Sequence, residues 1–524
     1  MDILAKTTPT PARRRPPIWL LALAFAAGAC GGGGPQWPTG QELVVALSNS
    51  PTNLDPRVGT DQASGRVCEL ILNGLVTIDP QGNLIPDLAE SWEVLDGGSR
   101  YRFHLRPGVL FHNGHELTSR DVVWTFGSIL DGSVPTAKAA AYEVVREVVP
   151  VDALTVDLVL REPYGPILAD LTPAQGIVPL GMTPEEMNRQ PVGTGPFRLV
   201  ERTPEKVVLE PFDRHFRGAP SLERVELKEV PDVTVRALEL LHGSVQLVVN
   251  DLAPDVVPRF RDDPRYRVEV SPGSNYTYLG LNLEDPVLSD VRVRRALERS
   301  IDRQKLVDTL WQHLGVVTET MLPPGSWARN DDLEPVPYDP AGAARLLEAA
   351  GYPDPDGDGP LPRVHVEYKT STSETYLLQA QIIQEMARPA GFDITVRSFE
   401  FATFYADVKA GNFQIFSLVR TGIIDPNVYR LVLHSTAVPP AGQNRGHYSN
   451  PEFDRLIDEG AHHATAEERR PFYLEAQTIF AEDLPYISLY TRYNVAVMPA
   501  QLEGYVGYPS GELFSLRQVR WNRP

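Results

Sequence analysis

At 524 residues the chain is too long for one hydrophobic core, and its 42% apolar content is enough to fill two to four domain-sized units. A formal charge of −19, from 68 acidic against 49 basic side chains, argues against nucleic acid and anionic lipid as partners. Two cysteines exclude a disulfide framework, and 48 prolines and 40 glycines spread along the chain indicate many turns in a large mixed fold.

Arg13-Arg14-Arg15 precede an apolar run over residues 18–27, and Ala27-Gly28-Ala29-Cys30 follows. Basic, apolar and small residues in that order form a secretory leader, since about ten apolar residues cannot span a bilayer. Cys30 directly after the small residues resembles a bacterial lipobox, with Ala27 where leucine is more usual, and lipidation at Cys30 and plain cleavage nearby are both open. Residues 1–30 are therefore expected to be the leader and its cysteine, and residues 31–41 a flexible tether. Removing residues 1–29 takes away four basic and one acidic side chain and leaves a charge of −22. With Cys30 modified, Cys68 has no disulfide partner in the chain and reads as a small core residue.

A first strand is expected over residues 42–47, then an Asn53-Leu54-Asp55-Pro56 turn, a polar Gly59-Thr60-Asp61-Gln62 loop and a helix starting near Gln62. Residues 87–126 carry the strongest local signal. Trp92, Val94, Tyr101, Phe103 and Leu105 alternate on either side of Asp96-Gly97-Gly98, the pattern of an antiparallel hairpin with one buried face. Asn113-Gly114 turns the chain between His112 and His115; their spacing would suit a metal on a helix, but on a hairpin solvated or capping roles are expected. Thr118 or Ser119 caps a helix beginning near Asp121, whose charge suits the positive end of the helix dipole.

Taken whole, this segment resembles the signature of the family-5 solute-binding proteins, the extracytoplasmic receptors of peptide, nickel and related ABC importers. The resemblance extends from about Leu43 to the C-terminus. Pro191-Val192-Gly193-Thr194-Gly195-Pro196 is its second strong match; no Lys-Ser/Thr follows, so it is no phosphate loop, and its glycines suit a close backbone approach. A helix over residues 233–242 leads to a strand over 245–249 that Asn250 ends. Residues 278–282 and 484–490 look like two crossover strands. Between them a single helix is expected over 291–310, where Glu298 and Asp302 among Arg292, Arg294 and Arg295 indicate a solvated, salt-bridged face rather than a phosphate patch. Asp354-Pro355-Asp356-Gly357-Asp358-Gly359 matches the opening of a calcium loop, but His365 stands at the twelfth position, so a rigid acidic turn is expected. Strands and helices then alternate to residue 418, and two helices within 451–480 return to the second crossover.

The resemblance implies an α/β, two-lobed fold of the periplasmic-binding-protein type (class II), with an extra α+β domain and a hinge of two crossover strands. Residues 42–72, 191–277 and 486–524 would form lobe I, residues 73–190 the extra domain inserted in it, and residues 278–485 lobe II. It implies a monomeric receptor outside the cytoplasm, held to the membrane through lipid on Cys30, needing neither cofactor nor metal. The receptor would capture a small solute, peptide-like or other, by hinge closure near residues 279–282 and 486–489, and deliver it to the permease subunits of an ABC importer. A secreted carboxylate-dependent hydrolase is the alternative, without a GxSxG or HExxH motif to support it. A surface adhesion protein would usually show repeats, and the sequence has none.

Ligand-facing positions follow from the same resemblance: Thr60, for which a helix-cap role is equally open; Asn250; Thr370 in the Lys369-Thr370-Ser371 loop; and Arg420, Thr421, Gly422 and Asp425 in the stretch that matches the family's "D..DP.N". In dipeptide- and oligopeptide-binding members an acidic residue three positions before the Asp-Pro receives the peptide's ammonium group. Here that position is Gly422, and the loop where a carboxylate-pairing Arg would stand reads Lys369-Thr370-Ser371. The expected solute is therefore uncharged, anionic or end-blocked, and anchored by Arg420. The alternative is that Arg420 pairs with an acidic neighbour while Asp425 caps the following turn.

Overall fold

The structure is a computed structural model describing residues 35, 37–357, 359 and 361–522, so the leader and Cys30 lie outside the described residues. Two long antiparallel strands, Tyr266–Leu281 and Tyr486–Pro499, run side by side through the centre of an eleven-stranded sheet. On one side Leu247–Val249, Glu42–Leu47, Arg224–Glu229, Lys206–Pro211 and Phe197–Arg202 complete the sheet of lobe I. On the other, Ile415–Arg420, Val364–Ser371 and Phe392–Phe399 extend it into lobe II, and Gly315–Val317 adds to the second long strand.

The long strands change core part-way along. Tyr266, Val497 and Met498 pack in lobe I, whereas Tyr276, Tyr278, Leu279, Tyr486, Ile487 and Tyr490 pack in lobe II. Between these sets the register breaks from Ser271 to Asn275 opposite residues 492–494. The crossing point is there, several residues away from the expected 279–282 and 486–489, and lobe II includes Tyr276 and residues 486–490. Alternation along a continuous strand looks the same in both halves, so only the register break marks the change.

The third unit has its own core, from Leu75 to Ile177, under the four-stranded sheet Ala89–Leu95, Arg100–Leu105, Thr155–Leu160 and Val145–Pro150. Tyr101 and Phe103 are fully buried on its hairpin. Thr118 is the N-cap of the helix Ser119–Leu130, and Asp121 closes the capping box by accepting the Thr118 N–H at 2.8 Å. Val178 and Met187 pack instead in the core of lobe I, so the inserted unit ends near residue 177 rather than 190. The expected 291–310 helix is two helices, Val291–Arg299 and Arg303–Trp311, with Asp302 capping the second through the Lys305 N–H at 3.0 Å. Nor is its arginine face all solvated: Arg294 is buried and donates to the carbonyls of Leu288 and Ser289, both at 2.8 Å, and of Leu484 at 3.1 Å. These carbonyls end neighbouring segments, so the guanidinium acts as a splint between them.

The two signature segments meet. His112 takes the Gly193 N–H on Nδ1 at 3.3 Å and gives Nε2–H to the Gly195 carbonyl at 3.0 Å, and burial pushes its pKa down to about 4. A Cβ on Gly193 would stand 2.1 Å from the Ile71 carbonyl oxygen. Gly193→Ala is expected to cost about 3 kcal/mol by pushing the turn that His112 holds off the end of the Gln62–Ile71 helix, read as a lower urea midpoint; an unchanged midpoint would show that this turn yields freely.

Candidate functional site

Parallel strands of both lobes end toward the crossing point. Val249 pairs with Ala496 as its strand runs toward residue 494, and Arg420 pairs with Tyr276 as its strand runs toward Asn275. A cleft between the lobes is thus lined by strand carboxyl ends, the usual ligand position in open α/β sheets.

Asn250 stands at that edge in left-handed backbone conformation, φ 65°, but its side chain is committed to the hinge. Its Nδ2 donates to Asn494 Oδ1 at 2.8 Å and its Oδ1 accepts the Val495 N–H at 2.8 Å. Asn494 Nδ2 in turn donates to the carbonyls of Tyr508 at 2.7 Å and Pro509 at 2.8 Å, and the Ser274 and Ser510 hydroxyls meet at 2.9 Å. Asn250 is therefore a hinge clamp rather than a free ligand donor.

Next to the hinge lies a cavity of about 200 Å³. Its walls are the turn at Pro80, Gln81, Gly82 and Asn83 from the inserted unit, Pro272 of the first crossover, the loop Pro323-Pro324-Gly325-Ser326-Trp327 and Ile423-Ile424 of lobe II, and Pro509. All three units and the hinge thus contribute. Prolines, isoleucines and a tryptophan dominate the wall, and no charged side chain lines it. Such a wall binds by apolar burial and shape, with Gln81, Asn83, Ser326 and backbone groups left to orient the ligand.

Asp425 stands behind this wall. It forms a two-pronged ion pair with Arg469, at 2.7 and 2.8 Å, and Arg469 lies 5.1 Å from the Trp327 ring centroid. Burial works against the Arg469 charge, but Asp425 more than offsets it and holds the guanidinium above its usual range. The Asn427 N–H also bonds Asp425, at 2.8 Å, so the residue both starts its turn and props the tryptophan, without being open to a ligand.

The other expected positions divide. Thr421 and Gly422 are exposed on the lip of lobe II just before Ile423, with Gly422 at φ 68° facing Ser510 across the cleft. Arg420 is half-buried, and instead of an acidic neighbour its partner is the side-chain amide oxygen Oε1 of Gln443 at 2.6 Å. Thr60 is exposed and does not line the cavity; Asp61 is the cap of the Gln62–Ile71 helix. Thr370 is fully buried on its strand and does not reach the cleft, whereas Thr372 beyond it is exposed. Pro272, Trp327, Ile423, Ile424 and Pro509 also line the cavity, and nothing local in the sequence marks them as wall residues. Pro323-Pro324-Gly325 marked a turn, but no local pattern says which turns meet across a cleft.

Known proteins give a consistent answer. Residues 83–437 match the model of the bacterial extracellular solute-binding proteins, family 5 middle region. The chain is 29% identical over 501 residues to heme-binding protein A of Haemophilus influenzae, covering 90% of each chain. It is 28% identical over 537 residues to the oligopeptide-binding protein AppA of Bacillus subtilis, covering 95% of this chain and 97% of that one. Its fold superposes with a TM-score of 0.76 on the periplasmic binding protein DppA of Helicobacter pylori in complex with the peptide STSA, at 25% identity over 92% of this chain and 98% of the other.

Proposed function

The chain belongs to the bacterial extracellular solute-binding proteins of family 5 and is an extracytoplasmic, substrate-binding receptor of an ABC importer, and we propose that its solute has an apolar body and no free ammonium group to be read. The observation that carries this reading is the uncharged cavity between the inserted unit, lobe II and the hinge. Gly422 supplies no carboxylate there, and the nearby Asp425 is spent on Arg469. A cationic peptide terminus would lose its hydration at this wall without a charged partner, a cost of several kcal/mol.

Capture works by closure. Ligand drives two lobes together only through contacts that are better in the closed form, and a cavity walled by both lobes, the inserted unit and Pro272 provides them. Closure about residues 271–275 and 492–494 is expected to lower the radius of gyration in scattering when solute is added; an identical value at saturation would argue against a hinged receptor. The family is one of solute-binding receptors, and the role proposed for this cavity is binding. Among the described residues no helix is long and apolar enough to cross a membrane, and the anchor in this reading is lipid on Cys30. Cys30→Ala is then expected to release a monomeric receptor into the soluble fraction.

Calorimetry with dipeptides, tripeptides and their N-acetylated forms tests the ligand class. Acetylation is expected to preserve or improve binding. Tight binding of free peptides that weakens on acetylation would overturn the proposal.

A further inference from the structure

The hairpin of Val76–Ile78 and Leu84–Pro86, whose turn walls the solute cavity, borders a second crevice with its strands. This crevice, of about 50 Å³, lies where the inserted unit meets lobe I and the C-terminal segment, and it shares no lining residue with the solute cavity. Its charged and titratable wall is Glu69, Asp87, His215, Arg217, Tyr508 and Arg517.

His215 is 6% exposed, and its Nδ1 faces the Gly218 carbonyl at 3.3 Å. A carbonyl only accepts, so Nδ1 carries the proton. Burial, with the charges of Arg217 and Arg517 acting in the same sense, pushes the pKa of the ring down to about 4. At neutral pH the imidazole is therefore uncharged and Nε2 holds a lone pair. That nitrogen is buried and has no partner among the described residues. A buried acceptor left without a donor is costly, so a group that fills the crevice gains by offering a proton to it.

The arginines ask for the opposite. Arg217 bonds the Asp87 carboxylate at 2.8 Å and the Pro86 carbonyl at 3.0 Å, and the Asn73 amide adds bonds to the same carboxylate at 3.0 and 3.2 Å. Asp87 is thus filled by the protein. Glu69 accepts the Leu513 N–H, and burial pushes its carboxyl well above the usual range, toward the uncharged form. Arg517 is half-buried and, among the described residues, makes no hydrogen bond, unlike Arg236 and Arg294, whose guanidiniums are met by backbone carbonyls. Its charge, with those of Arg217 and Arg106, bears on the one carboxylate of Asp87, and Arg517 and Arg106 both oppose the charge of Arg217. Three cations therefore surround a single anion.

We propose that this crevice is a second ligand site, which takes a small oxyanion that keeps a proton, of the hydrogen-phosphate kind: its oxygens accept from Arg517 and Arg217, and its O–H donates to His215 Nε2. Room of this size holds about four waters or one tetrahedral oxyanion. Guanidiniums supply the flat, paired donors that such an anion accepts, and a neutral imidazole supplies the acceptor that a fully deprotonated anion cannot use. The inference stands apart from the receptor reading, because the two walls have no residue in common.

Calorimetric titration of the chain without its leader, at pH 7, with sodium phosphate, sodium sulfate and sodium chloride at equal ionic strength tests it. Sulfate has the shape of phosphate but no proton to give. Phosphate is expected to give a saturable heat, and sulfate to bind roughly tenfold more weakly or worse. Arg517→Gln is expected to weaken phosphate binding roughly tenfold or more. His215→Phe removes the acceptor and is expected to erase the preference for phosphate over sulfate; Arg517→Gln, at a half-buried position, carries the test if His215→Phe fails to fold. The proposal is overturned if phosphate gives no saturable heat beyond that of chloride, if sulfate binds as well as phosphate, or if Arg517→Gln titrates like the parent, which would place the anion elsewhere.

Discussion

Arg469→Met is expected to lower the stability of lobe II by about 3–5 kcal/mol, because it leaves the Asp425 carboxylate buried without its cation. The side chains of Arg469 and Asp425 are 5% and 12% exposed and share two bonds of 2.7 and 2.8 Å. Methionine fills much of the volume but takes none of the charge. The loss should reach the binding site, since the guanidinium spans from Asp425 to the Trp327 ring at 5.1 Å, and Trp327 is a wall of the cavity. Solute affinity should therefore fall together with stability. The double variant Arg469→Met, Asp425→Leu removes both charges and is expected to recover most of the stability, since an apolar pair in place of a buried ion pair is often neutral. Urea unfolding of the parent, both single variants and the double closes the cycle. A single-variant cost under about 1 kcal/mol would show that water reaches Asp425 and that the pair props nothing.

Legibility differed with the range of the interaction. The hairpin of Tyr101 and Phe103 and the Thr118 cap with Asp121 follow from residues near one another in sequence, and the glycines around Thr194 signalled a close backbone approach without naming its distant partner, Ile71. The family resemblance carried the two lobes. Ligand positions were harder because an Asn at a strand end is equally a cleft donor and a clamp. Only the placement of Asn494 and Val495, more than 240 positions away, decides for the clamp at Asn250. Thr370 shows a second cause: a polar loop in the sequence can start inside the strand, and Val364–Ser371 carries Thr370 into the core before the exposed turn begins. Arg294 shows a third. Charged residues at helical spacing suggest solvent, but one arginine of the set faces inward, where the backbone carbonyls of Leu288, Ser289, Asp483 and Leu484 need donors.

Stability should also fall as pH rises from about 4 to about 7, on account of buried carboxyl groups, Asp87 and Glu298 among them. Asp87 is 1% exposed; burial pushes its pKa up to about 6, although Arg217 at 2.8 Å and the Asn73 amide act in the opposite direction. Glu298, also buried, is pushed up to about 7 by burial, with Arg303 opposing and Glu319 adding to the rise. In the unfolded chain both titrate near pH 4. Between these values Asp87 and Glu298 keep protons in the folded protein that the unfolded chain has released, and Asp170, which burial pushes up to about 7, and Glu69 and Glu512, both raised by burial, act in the same sense, so stability is fully present below about pH 4 and is lost as pH rises through the folded values. Asp87 and Glu298 together amount to a loss on the order of 5 kcal/mol across the window. At the acid end other groups turn the curve over: the Arg102 hydrogen bond holds Asp157, and the Arg292 hydrogen bond holds Asp290, below the usual carboxylate range, and their contributions disappear as they protonate. The stability optimum is thus expected in mild acid rather than at neutral pH. Urea midpoints measured from pH 4 to 8 should decline in the parent, and Asp87→Asn and Glu298→Gln should each flatten the decline by removing one of these protons. A variant curve running parallel to the parent's would show that the group does not titrate in this range.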